Sequence, residues 1–441
     1  GLASTWIGLG NAVIGSLLAW VAMGRRTRVM THHLEVATMP DFFGRRYDSN
    51  VIKIVASAIA FVFMIPYTAS VYNGLSRLFG MAFDIPYTVC VITMAVLTGV
   101  YVILGGYMAT AINDFIQGII MLFGIVAVIG AVLSGQGGFI EAVRKLSELP
   151  SDVPVTMGQQ GAFASFFGTD PLNLLGVIIL TSLGTWGLPQ MVHKFYAIKS
   201  EKAIKTGTIV STFFAVIVSG GCYFLGGFGR LFDAEALYKA DGSVMYDAIV
   251  PSMLSTLPDL LIGVVIILVL SASMSTLSSL VLTSASTLTL DFIKGNIVKE
   301  MDDKKQLIYI RVLIVFFIVI SVVLALNPPT FIAQLMGISW GALAGAFLAP
   351  FLYGLYWKGV TRAGVWASFL CGVGITVSNM FFKFIASPIN AGAAAMIAGL
   401  IITPVVSLVT PKINAAFVNK MFQCYDNTAK VSSKEYLKEE A

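Results

Sequence analysis

Hydroxyl side chains are concentrated in one stretch of the sequence, where eleven of the nineteen residues from 271 to 289 are Ser or Thr. On a helix, one face of this stretch would carry six small or hydroxyl residues: Ala272, Ser275, Thr276, Ser279, Thr283 and Ser286. The adjacent hydroxyls of Ser275 and Thr276, with the Ala272 carbonyl one turn earlier, offer the oxygen ligands that a hard cation such as Na⁺ prefers. Close packing is the alternative, because small and hydroxyl residues let membrane helices approach each other.

A second candidate is Asp114, the one acidic residue that lies well inside an apolar segment. An ionisable group in that position is costly and is a candidate functional residue. Ser278 and Ser279 lie one turn beyond Ser275, so Asp114 would meet a ladder of hydroxyls if the two helices touch. A cation shared by these side chains would supply the missing positive charge. The alternative is that Asp114 caps a helix or hydrogen-bonds the serines as a structural contact.

A third candidate is the segment LGTWGLPQ at Leu183–Gln190, which contains two glycines and a proline within six residues. Such residues interrupt a helix and free backbone groups, and broken helices near the membrane midplane form substrate and ion sites in secondary transporters. Trp186 in this segment and Tyr67, which follows Pro66, are candidates to line such a cavity. A simple proline kink and an interfacial tryptophan belt are the alternatives.

Membrane-spanning helices must position these residues, because the composition excludes a single water-soluble core. Of the 441 residues, 57% are hydrophobic and only 12% are charged, whereas a soluble domain has about 25% charged residues. The mean hydropathy is +0.85. Disorder is excluded by the 30 Phe, 15 Tyr and 6 Trp, since disordered chains are poor in aromatic residues. The chain is therefore predicted to be an all-α, polytopic membrane protein.

Eleven stretches of the sequence are long enough to cross a bilayer core, which needs roughly 20 apolar residues in a helix. They are continuously apolar rather than alternating, which indicates helices. They cover approximately residues 3–23, 51–80, 85–104, 107–134, 171–191, 205–231, 258–290, 307–326, 330–357, 363–385 and 389–410.

The basic residues predict the orientation, since cytoplasmic loops collect Lys and Arg. With Gly1 outside, 22 of the 28 Lys and Arg face the cytoplasm, together with the C-terminal tail at residues 412–441. The net charge of +5 is therefore attributed to these loops and not to a nucleic-acid-binding surface. Four separated cysteines and three histidines indicate neither a disulfide framework nor a zinc site. The predicted spans contain no Ser-His-Asp, HExxH or paired-carboxylate pattern, so the sequence does not indicate an enzyme.

Six motifs distributed over nearly the whole chain resemble the sodium/solute symporter family, whose members include proline and pantothenate transporters. The MSTLSS motif and the LGGYMA…ND…QG pattern are the most specific of them. The motifs lie at residues 37–47 (ATMPDFFGRRY), 64–70 (MIPYTAS), 101–118 (YVILGGYMATAINDFIQG), 186–195 (WGLPQMVHKF), 271–280 (SASMSTLSSL) and 338–359 (ISWGALAGAFLAPFLYGLYWKG).

The resemblance implies a LeuT-like fold with two inverted five-helix repeats, and coupling of Na⁺ entry to solute uptake. It implies a main sodium site to which Ala272 contributes its carbonyl, and Ser275 and Thr276 their hydroxyls. Some family members, sialic-acid carriers among them, pair an Asp with a serine cluster. This pairing implies a second sodium site formed by Asp114, Ser275, Ser278 and Ser279.

The resemblance places the solute between the second, fifth and ninth spans, near Tyr67, Thr185, Trp186 and Trp340. Plain helix packing is the alternative for Trp340, which lies among glycines and alanines. Proline-type carriers have Tyr where this chain has Thr185, and an acidic residue where it has Ser4. Proline specificity is therefore not supported.

Carriers of the proline and pantothenate kind usually have thirteen spans, and the first span of this chain matches their third. We therefore expect a transmembrane symporter domain at residues 1–411 with eleven of thirteen family helices. The two helices expected to be missing include an unwound core helix, which supplies half of the sodium site in the family.

The leading hypothesis is a multi-pass cell-membrane symporter that works as a monomer and uses Na⁺ to import a small organic solute of the amino acid, pantothenate or carboxylate type. The solute itself is left open, with proline, pantothenate, a short carboxylate and a sugar as candidates. The alternative is a transporter-like sensory membrane module without net transport, because the fold of this family is also found fused to signalling kinases.

Overall fold

The structure is a computed structural model that describes residues 1–198, 200–232, 244–294, 296–298 and 300–425, apart from the side chains of residues 105–111, 113 and 201. Within these ranges the backbone is mostly helical, and eleven helices are long and apolar enough to cross a membrane. The predicted all-α, polytopic fold is therefore confirmed. Residues 426–441 of the predicted cytoplasmic tail lie outside the described residues.

The eleven spans are numbered in chain order. Their bounds are Leu2–His33 (span 1), Asn50–Phe83 (span 2), Tyr87–Leu104 (span 3), Asp114–Gly135 (span 4), Pro171–Tyr196 (span 5), Lys202–Leu231 (span 6), Asp259–Ile293 (span 7), Asp303–Leu326 (span 8), Ile332–Tyr356 (span 9), Arg362–Phe382 (span 10) and Pro388–Val409 (span 11). Helices too short to span include Met39–Arg46, Phe139–Glu148, Ile249–Leu254 and Ala415–Phe422.

Polar residues between the apolar stretches set where several helices begin. The Ser49 hydroxyl accepts a hydrogen bond from the Ile52 amide at the start of span 2. The Asp302 carboxylate accepts one from the Lys305 amide at the start of span 8. Such caps satisfy amide groups that have no partner in the first turn of a helix, so they fix the helix starts.

Spans 3 and 4 belong to one helical run, Tyr87–Gly135, rather than to two separated helices. A straight helix of this length would extend about 74 Å, but both of its ends lie at the same end of the bundle. The Tyr87 hydroxyl, just beyond span 2 in the chain, donates to the Ala325 carbonyl near the end of span 8. Val132 of span 4 packs in one cluster with Leu78, near the end of span 2. The chain therefore reverses direction between spans 3 and 4.

One end of the bundle, called the basic end here, is formed by residues 25–50, 190–198, 286–294, 354–363 and 410–425. Long hydrogen-bonding side chains join these segments to one another. The Arg28 guanidinium donates to the Ile198 carbonyl, and the Arg46 guanidinium donates to the Gly354 carbonyl. The opposite, distal end carries the long connections between spans 4 and 5 and between spans 6 and 7.

Spans 9, 10 and 11 are packed with their backbones in contact, and span 9 is the most buried of the eleven. A Cβ atom added to Gly372 of span 10 would lie 2.2 Å from the Ala346 amide nitrogen of span 9. One added to Gly341 of span 9 would lie 2.5 Å from the Gly392 Cα atom of span 11. Small residues permit this close approach of membrane helices, which holds span 9 between its two neighbours.

The first prediction concerns this packing. Gly372→Ala should push spans 9 and 10 apart and destabilise the protein by about 1–3 kcal/mol, as overpacking does in a well-packed interior. The measurement is the temperature at which half of the detergent-solubilised protein leaves its monodisperse peak. Gly374→Ala is the matched control, because no atom lies within 4 Å of its added Cβ. Equal melting temperatures for the two variants would contradict the proposed close packing.

Candidate functional site

Two cavities lie along the same face of span 7. The distal cavity has a volume of about 560 Å³ and is bordered by spans 2, 7 and 9 and by residues 246–254. The basic-end cavity has a volume of about 1090 Å³ and is bordered by residues 32–38, Asp114, the end of span 5 and the second half of span 7. The span 7 residues that border the distal cavity are Val269, Ala272, Ser273 and Thr276, and those that border the basic-end cavity are Ser278, Ser279, Leu282, Thr283, Ser286 and Leu290.

The three groups of the predicted main sodium site do not all border the same cavity. Thr276 Oγ1 donates a hydrogen bond to the Ala272 carbonyl at 3.0 Å, and both residues line the distal cavity. A hydroxyl whose hydrogen is used in this way presents only its lone pairs to a ligand. Ser275 borders neither cavity, and its side chain interacts with Asp114 instead. The structure therefore brings two of the three predicted groups together.

The residues of the predicted second sodium site lie near one another. Asp114, Ser278 and Ser279 line the basic-end cavity, and the Asp114 carboxylate interacts with the Ser275 hydroxyl. Ser278 Oγ donates to the Ser275 carbonyl at 3.0 Å, so its lone pairs are also left for a ligand. Asp114 Oδ1 is buried and has no hydrogen-bond partner among the described side chains. A buried carboxylate oxygen without a partner is costly, and a cation would compensate its charge.

Two of the predicted substrate residues contact each other, although only one of them borders the distal cavity. Tyr67 lines this cavity, and its ring lies edge to face with that of Trp340, with 5.5 Å between the centroids. A Cβ atom on Gly184 would lie 3.1 Å from Trp340 Cε3. Trp340 Nε1 is buried without a hydrogen-bond partner. Spans 2, 5 and 9 therefore meet where the solute is expected.

The other two predicted substrate residues are directed toward span 1. Trp186 Nε1 donates to the Ile14 carbonyl at 3.0 Å, and Thr185 Oγ1 donates to the Gly15 carbonyl at 3.2 Å. Neither residue borders the distal or the basic-end cavity. The predicted interruption of span 5 is present, because a short 3-10 turn at Gly184–Trp186 separates two helical parts. Thr185 and Trp186 therefore attach the interrupted segment to the backbone of span 1.

Sequence reasoning missed a charged group of residues at the basic end, called the Asp291 cluster here and formed by Thr38, Asp41, Lys53 and Asp291. Asp291 is 1% exposed and accepts a hydrogen bond of 2.5 Å from Thr38 Oγ1. Lys53 Nζ lies 3.4 Å from Asp291 and 2.8 Å from Asp41. Asp291 ends the hydroxyl-rich stretch of the sequence, but its partners are more than 200 residues away, so the sequence offered no signal for the pairing.

Gln190 is a second residue that sequence reasoning missed. It follows Pro189 in the interrupted span, borders the basic-end cavity and is 4% exposed. Neither its Oε1 nor its Nε2 atom has a hydrogen-bond partner in the part of the chain that the structure describes. A buried polar group without a partner costs about 1–3 kcal/mol. Its position was a usable signal in the sequence, because a polar residue directly after the proline of an interrupted span is unusual in an apolar stretch.

At the distal end, Asp247 joins the connection after span 6 to two spans. Its carboxylate accepts a hydrogen bond of 3.1 Å from the Ile332 amide at the start of span 9. It also lies 3.9 Å from Arg77 Nε of span 2, and Arg77 donates to Asn73 Oδ1 at 2.7 Å. Because Asp247 borders the distal cavity, these contacts hold the connection over that cavity.

Cavities at both ends of a helical bundle, beside an interrupted span, are typical of secondary transporters. The sequence model of the Sodium:solute symporter family matches residues 1–372, and the chain belongs to this family. It is 30% identical over 435 residues to a sodium/proline symporter of Staphylococcus aureus, covering 94% of this chain and 80% of the relative.

The comparison of folds agrees with the family. A Na⁺-coupled sialic acid symporter in a substrate-bound, outward-open state, described as revealing a novel Na⁺ site, matches with a TM-score of 0.63 and 14% identity. The match covers 94% of this chain and 91% of that chain. Mhp1, a nucleobase-cation-symport-1 family transporter, matches with a TM-score of 0.49 and 11% identity. The likeness to the sialic acid symporter confirms the predicted LeuT-like fold, and at 14% identity it concerns the fold alone.

The second prediction concerns the Asp291 cluster. Thr38→Val removes the hydroxyl that donates to Asp291 and that also accepts from the Asp41 amide at 3.1 Å. We expect a loss of about 1–3 kcal/mol, because a buried carboxylate loses a partner and a helix loses its cap. Thermal melting in detergent measures the loss. Thr38→Ser keeps the hydroxyl and should melt near the wild type, and a valine variant as stable as the serine variant would disprove the role of this bond.

Proposed function

We propose that the protein is a sodium-coupled symporter that moves a small organic solute by alternating access. The observation that carries the proposal is the hydroxyl face of span 7, which passes both cavities and meets the Asp114 carboxylate. An ion and a solute that bind along this one helix are coupled, because both contact the same rigid element. Access from the two ends then changes with the position of span 7 relative to its neighbours.

The sodium site that the contacts support best is formed by Asp114, Ser275, Ser278 and Ser279. Na⁺ prefers hard oxygen ligands, and this group offers one carboxylate and three hydroxyls. The Asp114 Oδ1 atom, which no described side chain satisfies, supports a bound cation, because the contact with Ser275 does not use that atom.

The main sodium site predicted from the sequence is proposed in addition, with Ala272 and Thr276 as its ligands and Ser275 as the third group by family resemblance. The Ala272 carbonyl and Thr276 Oγ1 lie 3.0 Å apart and border the distal cavity. Two sites on one helix, one toward each cavity, would give two Na⁺ ions for each solute.

The solute is proposed to bind beside Tyr67 and Trp340. The unpartnered Trp340 Nε1 is a donor available to a solute oxygen, and the aromatic pair supplies an apolar wall. Thr185 and Trp186 are assigned the role of positioning the interrupted span. An amino acid, a pantothenate-like molecule or a short carboxylate is the proposed class. Proline is the first solute to test, because the Staphylococcus aureus relative is named a sodium/proline symporter.

The basic end is proposed to face the cytoplasm, together with the C-terminal tail of the chain, in a cell membrane. The excess of Lys and Arg at the basic end supports this orientation, because cytoplasmic loops collect basic residues. Residues 1–411 are proposed to act as one symporter domain, and the protein is proposed to act as a monomer.

The third prediction tests the proposed function in proteoliposomes. Counterflow of proline, pantothenate, short carboxylates and sugars, each with and without Na⁺, should identify a solute whose transport requires Na⁺. The rate should then depend on Na⁺ with a Hill coefficient above one that falls toward one in Asp114→Asn. Asp84→Asn, which removes an exposed acid at the distal end, is the control. A wild type with a Hill coefficient of one would make Asp114 a structural residue, and no Na⁺-dependent solute would refute the function.

The fourth prediction concerns the hydroxyls at the middle of span 7. The double variant Ser275→Ala/Thr276→Ala removes two oxygen ligands, so half-maximal transport should require at least about tenfold more Na⁺, since bonds to charged groups contribute about 1.5–3 kcal/mol each. Ser284→Ala is the matched control, because Ser284 is buried on the same span, contacts Met64 and borders neither cavity. Unchanged Na⁺ dependence in the double variant would exclude these ligands.

A further inference from the structure

The basic-end cavity is too large to serve a single cation alone. Its volume of about 1090 Å³ is that of a pocket for a small organic molecule, since such pockets measure about 300–1,000 Å³. Helix Pro189–Tyr196 presents one face to it, because Gln190, His193 and Lys194 recur at the three- and four-residue spacing of a helix face. The hydroxyl face of span 7 lies along the same cavity. The cavity is therefore bordered by two polar helix faces.

Gln190 is the group on this face that is prepared for a ligand. His193 Nε2 already accepts a hydrogen bond of 3.0 Å from the Met39 amide. The Gln190 amide, in contrast, is buried with neither its donor nor its acceptor used by the described residues. A primary amide can donate to an anionic oxygen and accept from an N–H group at the same time. Gln190 therefore suits a solute that carries both kinds of group.

The charges at this cavity indicate the same class of solute. Lys194 lies one helical turn after Gln190, and its positive charge interacts with the carboxylate of Asp114. The wall thus presents one ammonium group, that of Lys194, and two carboxylates, those of Asp114 and Glu35, with the neutral Gln190 amide on the same helix face as Lys194. With Na⁺ bound at Asp114, a small zwitterion matches the groups that remain, with its carboxylate toward Lys194 and the Gln190 N–H, and its ammonium toward Gln190 Oε1 and the carboxylate of Glu35.

We propose that the basic-end cavity contains a second solute site, in which Gln190 binds a small zwitterion between the Tyr67–Trp340 pair and the basic end. The inference rests on the proposed function, since it concerns the path of the transported solute. The proposed function does not include Gln190, the site in the basic-end cavity or the zwitterionic charge of the solute.

The fifth prediction is that Gln190→Met impairs transport from one side only. With the wild type and the variant reconstituted in vesicles of both orientations, the KM of a zwitterion presented at the basic end should rise about tenfold, equivalent to about 1.4 kcal/mol. The KM at the distal end should change less than twofold. The probes are radiolabelled L-proline, L-alanine and glycine, each in saturating Na⁺.

The matched control is Gln117→Met. Gln117 is also a buried glutamine with an unpartnered Oε1 atom, but it borders neither cavity. It should leave both KM values unchanged. If Gln190→Met does not fold, Gln190→Glu provides the test, because a negative charge repels the solute carboxylate and should raise the basic-end KM further.

The charge type is tested by competition at the basic end. Prolinamide, a cation, and cyclopentanecarboxylate, an anion, should each compete at least tenfold more weakly than L-proline. Equal changes of KM at both ends in Gln190→Met would show a structural role and overturn the proposal. Na⁺-dependent transport of pantothenate or a sugar, with none of the zwitterions, would also overturn it. Absence of any Na⁺-dependent transport would instead refute the proposed function.

Discussion

Polar groups of a membrane span cannot hydrogen-bond to water in the hydrocarbon core, so each must find a partner inside the protein. Span 7 meets this constraint by bonding hydroxyls to its own backbone, as Thr276 does to the Ala272 carbonyl and Ser278 to the Ser275 carbonyl. Each such hydroxyl keeps its lone pairs free. The bonds that make a hydroxyl-rich helix tolerable in a membrane therefore also prepare it to bind cations.

The buried groups without a partner are informative for the same reason. Asp114 Oδ1, the Gln190 amide and Trp340 Nε1 have no partner within the described part of the chain; Asp114 and Gln190 border the basic-end cavity, and Trp340 contacts Tyr67 at the distal cavity. Trp186 Nε1, in contrast, donates to the backbone of span 1, and Thr185 Oγ1 lies within hydrogen-bond distance of the Gly15 carbonyl of span 1 and the Ser182 carbonyl of its own span. Groups of the first kind are available to an ion or a solute, whereas groups of the second kind hold the interrupted span in place.

A polar cluster that includes a connecting segment lies beside each cavity. At the basic end, Thr38 and Lys53 contact Asp291, and Thr38 borders the basic-end cavity. At the distal end, Asp247 contacts Arg77 and the start of span 9, and it borders the distal cavity. Each cluster therefore joins a connecting segment to spans beside one of the two cavities.

The sequence by itself determined the number and nature of the spans, because a bilayer demands long apolar helices and the composition permits nothing else. It also located the hydroxyl face of span 7 and Asp114, since a polar group in an apolar run is visible without any structure. Only the tertiary structure decided which polar groups are already satisfied. It turned Trp186 toward span 1, paired Asp291 with residues more than 200 positions away, and left Gln190 without a partner, because such contacts depend on how distant helices pack and not on local sequence.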